Sequence, residues 1–164
     1  MNHVSRFRIL PLVAESIRRL NDFGMPVIVV TNQSGVGRGY FPESLVQSVH
    51  ELMSQQLAAA GAHLDAIYYC PHTSAEGCAC RKPMTGMLDR AAREHAIDLH
   101  QSVVVGDRHG DMELARRAGA RSILVRTGYG EGEHLWNAAH WPVQPDFVAA
   151  DLADAVHWIL RPTK

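Results

Sequence analysis

The sequence predicts an α/β fold, a doubly wound and mostly parallel Rossmann-like sheet with helices on both faces. Two observations carry that expectation. Residues 26–31 (PVIVVT) form a short β-branched run without polar alternation, the pattern of a strand buried on both faces of a parallel sheet. Such runs then alternate along the chain with segments of helical apolar spacing, joined by short loops.

Taken in order, residues 11–23 read as a helix, because Val13, Ile17 and Leu20 recur on one face and Gly24 suits a left-handed cap. The strand 26–31 follows, then a glycine-rich loop over 32–40. A helix over 42–60 presents Leu45, Val49 and Leu52 as one stripe and stops at Gly61. Residues 64–69 read as a strand that runs straight into the segment holding Cys70, Cys78 and Cys80, the only cysteines of the chain. A helix over 85–96, a strand over 102–105, a helix over 110–118 and a strand over 122–125 continue the alternation. The segment 128–145 carries the weakest pattern and reads as a loop at the domain edge. A short strand near Phe147 and Val148 precedes a closing helix over 151–160. No repeat or linker interrupts the series, so one domain over 1–164 is expected.

Bulk composition narrows the function classes. A net charge of −1 offers no electrostatic case for nucleic acid or an anionic membrane surface as the main partner. No apolar run approaches the roughly 18 residues of a membrane-spanning helix. The first residues lack the apolar stretch of a signal peptide. Three clustered cysteines suit metal ligation in a reducing compartment better than a disulfide framework, so a cytoplasmic location is expected.

The spacing Cys70-x-His72-x5-Cys78-x-Cys80 is the strongest isolated motif. Three thiols and an imidazole make a tetrahedral zinc set, and with no open position or adjacent glutamate base it reads as structural. Arg81 and Lys82 follow at once; a lysine neutralises phosphate as a point charge, and an arginine forks onto an oxygen-rich group. Exposed Arg-Lys pairs are often only solvated, and attachment to the metal loop is what favours a ligand role here. Thr31, Asn32, Gln33 and Ser34 leave a strand beside glycines; they could grip phosphoryl oxygens or equally satisfy their own turn. Asp107 and Asp111 stand four apart at a strand exit and helix start, a placement that suits Mg²⁺ but in isolation suits capping better.

Together these segments resemble the haloacid dehalogenase (HAD) superfamily of phosphatases, and within it the zinc-loop group. The matching stretches are VVTNQSGVGRG (29–39), YYCPH (68–72), CACRKP (78–83), GML (86–88), VRTG (125–128) and VGDRHGDM (105–112), in the family's order and across nearly the whole chain. The resemblance implies a phosphomonoesterase with catalytic Mg²⁺ and structural Zn²⁺, acting on a phosphorylated small molecule. Heptose 1,7-bisphosphate is the leading substrate and histidinol phosphate the alternative. It implies that Thr31 and Lys82 act on the phosphoryl group and that Asn32, Gln33, Ser34 and Arg81 bind substrate. It further implies that Asp107 holds magnesium with Asp111 in support, and that Cys70, His72, Cys78 and Cys80 hold zinc.

Members of the family open with a central strand ending in Asp-x-Asp-Gly, whose aspartates serve as nucleophile and as general acid and base. Of the nine aspartates here, none is followed by another two residues later. The expectation is therefore a chain truncated at its N-terminus relative to the family, with the first central strand missing and no turnover on its own. The gap would leave sheet edges open to self-association. A catalytically silent, zinc-stabilised phosphate-binding or interaction protein is the alternative of a different class.

Overall fold

The computed structural model describes residues 3–162. The chain forms two compact units, one ending at Arg81 and the other beginning at Lys82. Every strand pairing is parallel, and the strands fall into two sheets of order β1-β2 and β3-β4-β5. This is the α/β class that the alternation of elements predicts.

In the first unit a 3₁₀ turn (Val4–Arg6) precedes helix α1 (Val13–Asp22), which buries Ser16, Ile17 and Leu20 on one face. Strand β1 (Ile28–Asn32), helix α2 (Glu43–Ala59) and strand β2 (Ala66–Cys70) follow. The register between the strands runs from Ile28↔Ala66 to Asn32↔Cys70. Asp65 fixes its start: the carboxylate accepts from the Val27 amide at 2.7 Å, while the Asp65 amide donates to Val27 O at 2.9 Å. Asn21 ties the end of α1 to the approach of β2 by accepting from the His63 amide at 2.9 Å.

Two details depart from the sequence pattern. The β1 side chains are half-buried rather than enclosed, since the strand has a hydrogen-bonded strand neighbour, β2, on one side. On α2 the fully buried residues are Val46 and Leu57, while Leu45, Val49 and Leu52 are half-buried. The buried face is rotated by about one residue, roughly 100°, from the expected stripe.

The second unit contains helix α3 (Gly86–His95), strand β3 (Val103–Gly106), helix α4 (His109–Ala118) and strand β4 (Arg121–Val125). Beyond a single-turn helix α5 (Gly130–Gly132), strand β5 (Phe147–Ala149) and helix α6 (Leu152–Ile159) complete it. Strand β4 lies in the middle, and four of its five residues are buried. Ile123 and Val125 meet Ala149 and Ala155, with Val103, Val105, Phe147, Leu152, Trp158 and Ile159 around them. Ser122 and Asp146 lock the β4–β5 register, the Asp146 carboxylate accepting from the Ser122 amide at 2.7 Å and its hydroxyl at 3.1 Å. Asp151 caps α6 by accepting from the Asp154 amide at 3.0 Å.

Residues 128–145, expected to be an unpatterned loop, instead wind through α5, a five-residue π-type turn (Glu133–Asn137) and a 3₁₀ turn (Ala138–His140). Among the described residues no helix is long and apolar enough to cross a membrane.

In parallel α/β sheets, ligands collect beyond the carboxyl ends of strands. Here β1 ends at Asn32, β2 at Cys70 and β3 at Gly106. The polar motifs of the sequence all begin at those three points.

Candidate functional site

Cys70 closes β2 and is fully buried, and the chain turns back after it so that His72, Cys78 and Cys80 face the same point. The turn is built by Thr73 and Glu76: the Thr73 amide and hydroxyl both donate to the Glu76 carboxylate, at 2.5 and 2.8 Å. Gly77 then reverses the chain in the left-handed conformation. The four donor atoms lie within 4.8 Å of one another. Cys70 Sγ is 3.5 Å from Cys78 Sγ and 3.1 Å from Cys80 Sγ, and His72 Nδ1 is 3.2 Å from Cys80 Sγ. A tetrahedron with Zn–S bonds of about 2.3 Å has edges of roughly 3.7 Å, so slight opening of the cluster fits the ion. The sequence-predicted ligand set is thus brought together whole, and it is compatible with zinc.

Without metal the thiols differ sharply. Burial pushes Cys70 up to about 12, helped by its contact with Cys80. Burial likewise raises Cys80. At Cys78 burial acts in the same direction, but hydrogen bonds from Cys80, Cys70 and the backbone outweigh it and leave the thiol at about 7. A dication would erase the difference by favouring every thiolate. Arg81 leads directly off this cluster, and its guanidinium donates to His72 O at 3.2 Å, so the metal loop itself orients the arginine.

Thr31 to Ser34 occupy the exit of β1. The Gln33 side-chain amide donates to Thr31 Oγ1 at 3.1 Å. The loop then coils through Val36 N to Gln33 O at 3.0 Å, Arg38 N to Ser34 O at 3.1 Å and Tyr40 N to Gly35 O at 2.8 Å. Thr31 to Val36 are half-buried and Gly37 to Tyr40 exposed, and two backbone bonds tie the loop to the β2 exit, from Gln33 N to Cys70 O at 2.7 Å and from Gly37 N to Pro71 O at 3.0 Å.

In the second unit, Lys82 Nζ lies 2.7 Å from Asp111 Oδ1, with the lysine side chain 19% and the aspartate side chain 9% exposed. The other oxygen, Asp111 Oδ2, accepts from the Arg108 amide at 3.2 Å. Both oxygens of Asp111 are therefore engaged within the unit, one holding the lysine and the other capping α4. Gly106 makes room for this arrangement, because a Cβ there would overlap the Asp111 side chain. Gly106→Ala is expected to lower stability by about 2 kcal/mol, read as a shift of the urea midpoint, because either β3 or the start of α4 must move.

Asp107 is half-buried at the exit of β3, and its Oδ2 accepts from the Tyr129 amide at 3.0 Å. Gly128, at φ +64°, lies so close that any side chain there would strike that carboxylate oxygen. Sequence reasoning missed this brace, as it missed Arg108, whose guanidinium sits 3.7 Å above the Tyr129 ring. The glycines at 128, 130 and 132 within an otherwise unpatterned segment were the available signal.

Comparison with known proteins agrees with these features. The HAD-hydrolase-like family model matches residues 79–155. The chain is 42% identical to the D-glycero-D-manno-heptose-1,7-bisphosphate 7-phosphatase of Thermosynechococcus vestitus, over 97% of this chain and 86% of that protein. It is 38% identical to the D-glycero-beta-D-manno-heptose-1,7-bisphosphate 7-phosphatase of Yersinia pestis, over 95% of this chain and 86% of that one. Among solved structures, the D,D-heptose 1,7-bisphosphate phosphatase of B. bronchiseptica, complexed with magnesium and phosphate, aligns with a TM-score of 0.88 at 35% identity, over 97% of this chain and 87% of that chain. The enzyme of the same name from Burkholderia thailandensis aligns at 0.74 and 29% identity, over 97% and 90%.

Proposed function

Because the chain belongs to the HAD-like phosphatases, we propose that its substrate is a sugar bisphosphate, D-glycero-D-manno-heptose 1,7-bisphosphate, and that Mg²⁺ and Zn²⁺ are its metals. The observation that carries the reading is the Cys70, His72, Cys78 and Cys80 cluster with Arg81 oriented by its own loop. A structural metal there would hold the guanidinium ready for a second anionic group, which a monophosphate lacks.

Each side chain has a defined task in this reading. The Thr31 hydroxyl, carrying an acceptor bond from Gln33, donates to a phosphoryl oxygen. Asn32, Gln33 and Ser34 supply further neutral donors. Lys82 offsets the charge that develops on the transferring phosphoryl group, and Asp111 acts on substrate only through that lysine. Asp107 is the group that would hold magnesium, with the Tyr129 amide leaving its Oδ1 for the ion. Magnesium, when bound, withdraws charge from phosphoryl oxygens.

The attacking carboxylate is a separate matter, since no aspartate here is followed by another two residues later. Residues 1–164 are accordingly expected to bind phosphate without turnover. Joining an apolar strand ending in Asp-x-Asp-Gly ahead of Met1 should confer Mg²⁺-dependent release of phosphate from the heptose bisphosphate, faster than from histidinol phosphate. In that extended protein, Lys82→Ala should lower kcat by about 100-fold or more. Metal-dependent hydrolysis by the 164 residues alone would defeat this division of roles, and a preference for histidinol phosphate would overturn the substrate. A second reading, a non-catalytic phosphate-binding protein, is favoured by the same missing pair; it requires phosphate binding but no activity even in the extended protein.

A further inference from the structure

The metal loop touches more than Arg81. Two of its carbonyls, Cys70 O and Pro71 O, accept the Gln33 and Gly37 amides at 2.7 and 3.0 Å. The donors belong to the loop that carries Thr31 to Ser34. At Gly37 the two loops approach too closely for a side chain: a Cβ would lie 2.8 Å from Pro71 O, 3.3 Å from Glu76 Oε1 and 3.4 Å from Thr73 Cγ2. Pro71, Thr73 and Glu76 are the residues that set the path between the ligands Cys70 and Cys78.

We infer that metal occupancy at Cys70, His72, Cys78 and Cys80 orders the Thr31–Tyr40 loop, with Gly37 as the positioning residue that couples the two. The coupling runs through shared acceptors. The carbonyls of Cys70 and Pro71 keep a fixed direction only while the chain between Cys70 and Cys80 keeps one path. Without an ion only weak thiol contacts, such as Cys80 Sγ to Cys70 Sγ at 3.1 Å, keep the four donors converged, whereas four metal–ligand bonds would fix them. When the path relaxes, the Gly37 amide loses its acceptor, and the exposed stretch from Gly37 to Tyr40 has few other long-range bonds to hold it. The linkage is reciprocal: whatever loosens the Gly37 contact also weakens metal retention.

The inference rests on the zinc reading proposed above, and the experiment separates the two. Zinc content of the purified chain is measured first, and amide hydrogen exchange is then followed before and after a chelator removes the metal. Exchange over residues 33–39 should rise about tenfold or more together with residues 70–81, while β4 and α4 stay protected. A rise confined to 70–81 overturns the coupling and leaves zinc binding intact. A rise that includes β4 and α4 also overturns it, since general unfolding explains that result. A chain that retains no zinc overturns the zinc reading and the coupling with it. In a second arm, Gly37→Ala should release zinc to a chromophoric chelator about tenfold faster than the parent, whereas Arg38→Ala should not. Equal release rates for the parent and Gly37→Ala overturn the assignment of Gly37.

Discussion

Cys70→Ser is expected to weaken zinc retention by a factor of about 100 to 1,000, the largest single effect foreseen for this chain. Structural zinc sites contribute roughly 10–16 kcal/mol in small peptides, so each of four ligands carries about 3 kcal/mol. Cys70 is also the ligand fixed most firmly, fully buried at the end of β2 with its carbonyl engaged by the Gln33 amide. A hydroxyl there supplies neither the thiolate charge nor the soft sulfur that the ion prefers. The sign of the pH dependence follows from the free thiols. Cys70, at about 12, and Cys80, raised by burial, are protonated near neutrality, whereas Cys78, at about 7, is half ionised there. Zinc must displace those protons, so the thiols alone make affinity rise about 100-fold for each pH unit gained above pH 7, and more steeply below it, where Cys78 is protonated as well. Chelator competition at pH 7 and pH 8 measures both effects. An affinity that does not change between those two values would contradict the assignment of thiolate ligands.

Asp111→Ala is expected to lower stability by about 2–3 kcal/mol, because it removes a buried carboxylate that pairs with the half-buried Lys82 ammonium and caps α4. Asp111 is 6% exposed and accepts from Lys82 Nζ and the Arg108 amide at once. Removing the carboxylate leaves Lys82 without that counter-charge and removes the capping acceptor of α4 in one step. Asp111→Asn should retain most of the Arg108 bond and lose mainly the charge, giving a smaller decrease. Lys82→Met in the Asp111→Asn background should recover part of the loss, since neither charge then remains to be buried. Urea midpoints of the three variants check the order. A loss below about 1 kcal/mol for Asp111→Ala would place the pair in the class of solvent-screened ion pairs.

Much of the architecture was legible because it is written in local pattern. The β-branched run before Thr31 and the helical stripe at Val13, Ile17 and Leu20 depend on neighbours a few residues away, and both elements form where the pattern puts them. The metal cluster was legible for the same reason, all four donors lying between Cys70 and Cys80. What escaped depends on contacts distant in sequence. Asp107 meets the Tyr129 amide across twenty-two positions, and Lys82 meets Asp111 across twenty-nine; no periodicity announces either. On α2, the choice of Val46 and Leu57 over the Leu45 stripe is made by what the helix packs against, since both faces carry apolar residues. The role of Asp111 illustrates the same limit: its spacing from Asp107 suggested a metal, and only its partners reveal the lysine.

The compactness of the metal motif bears on how the chain acquires its structure. Parallel strands such as β1 and β2 meet only after more than thirty intervening residues have been brought to heel, as the Ile28↔Ala66 register requires. The segment from Cys70 to Cys80 needs no such search: a loop of about ten residues closes in roughly 10–100 ns, and its entropic cost is small. During synthesis the donors emerge together, just after β2. An ion captured there would give the chain a rigid seed at the end of β2, onto which β1 and its loop can then zip from the Asn32↔Cys70 pair backwards. Metal supply would thereby act on the yield of folded protein as well as on its final state.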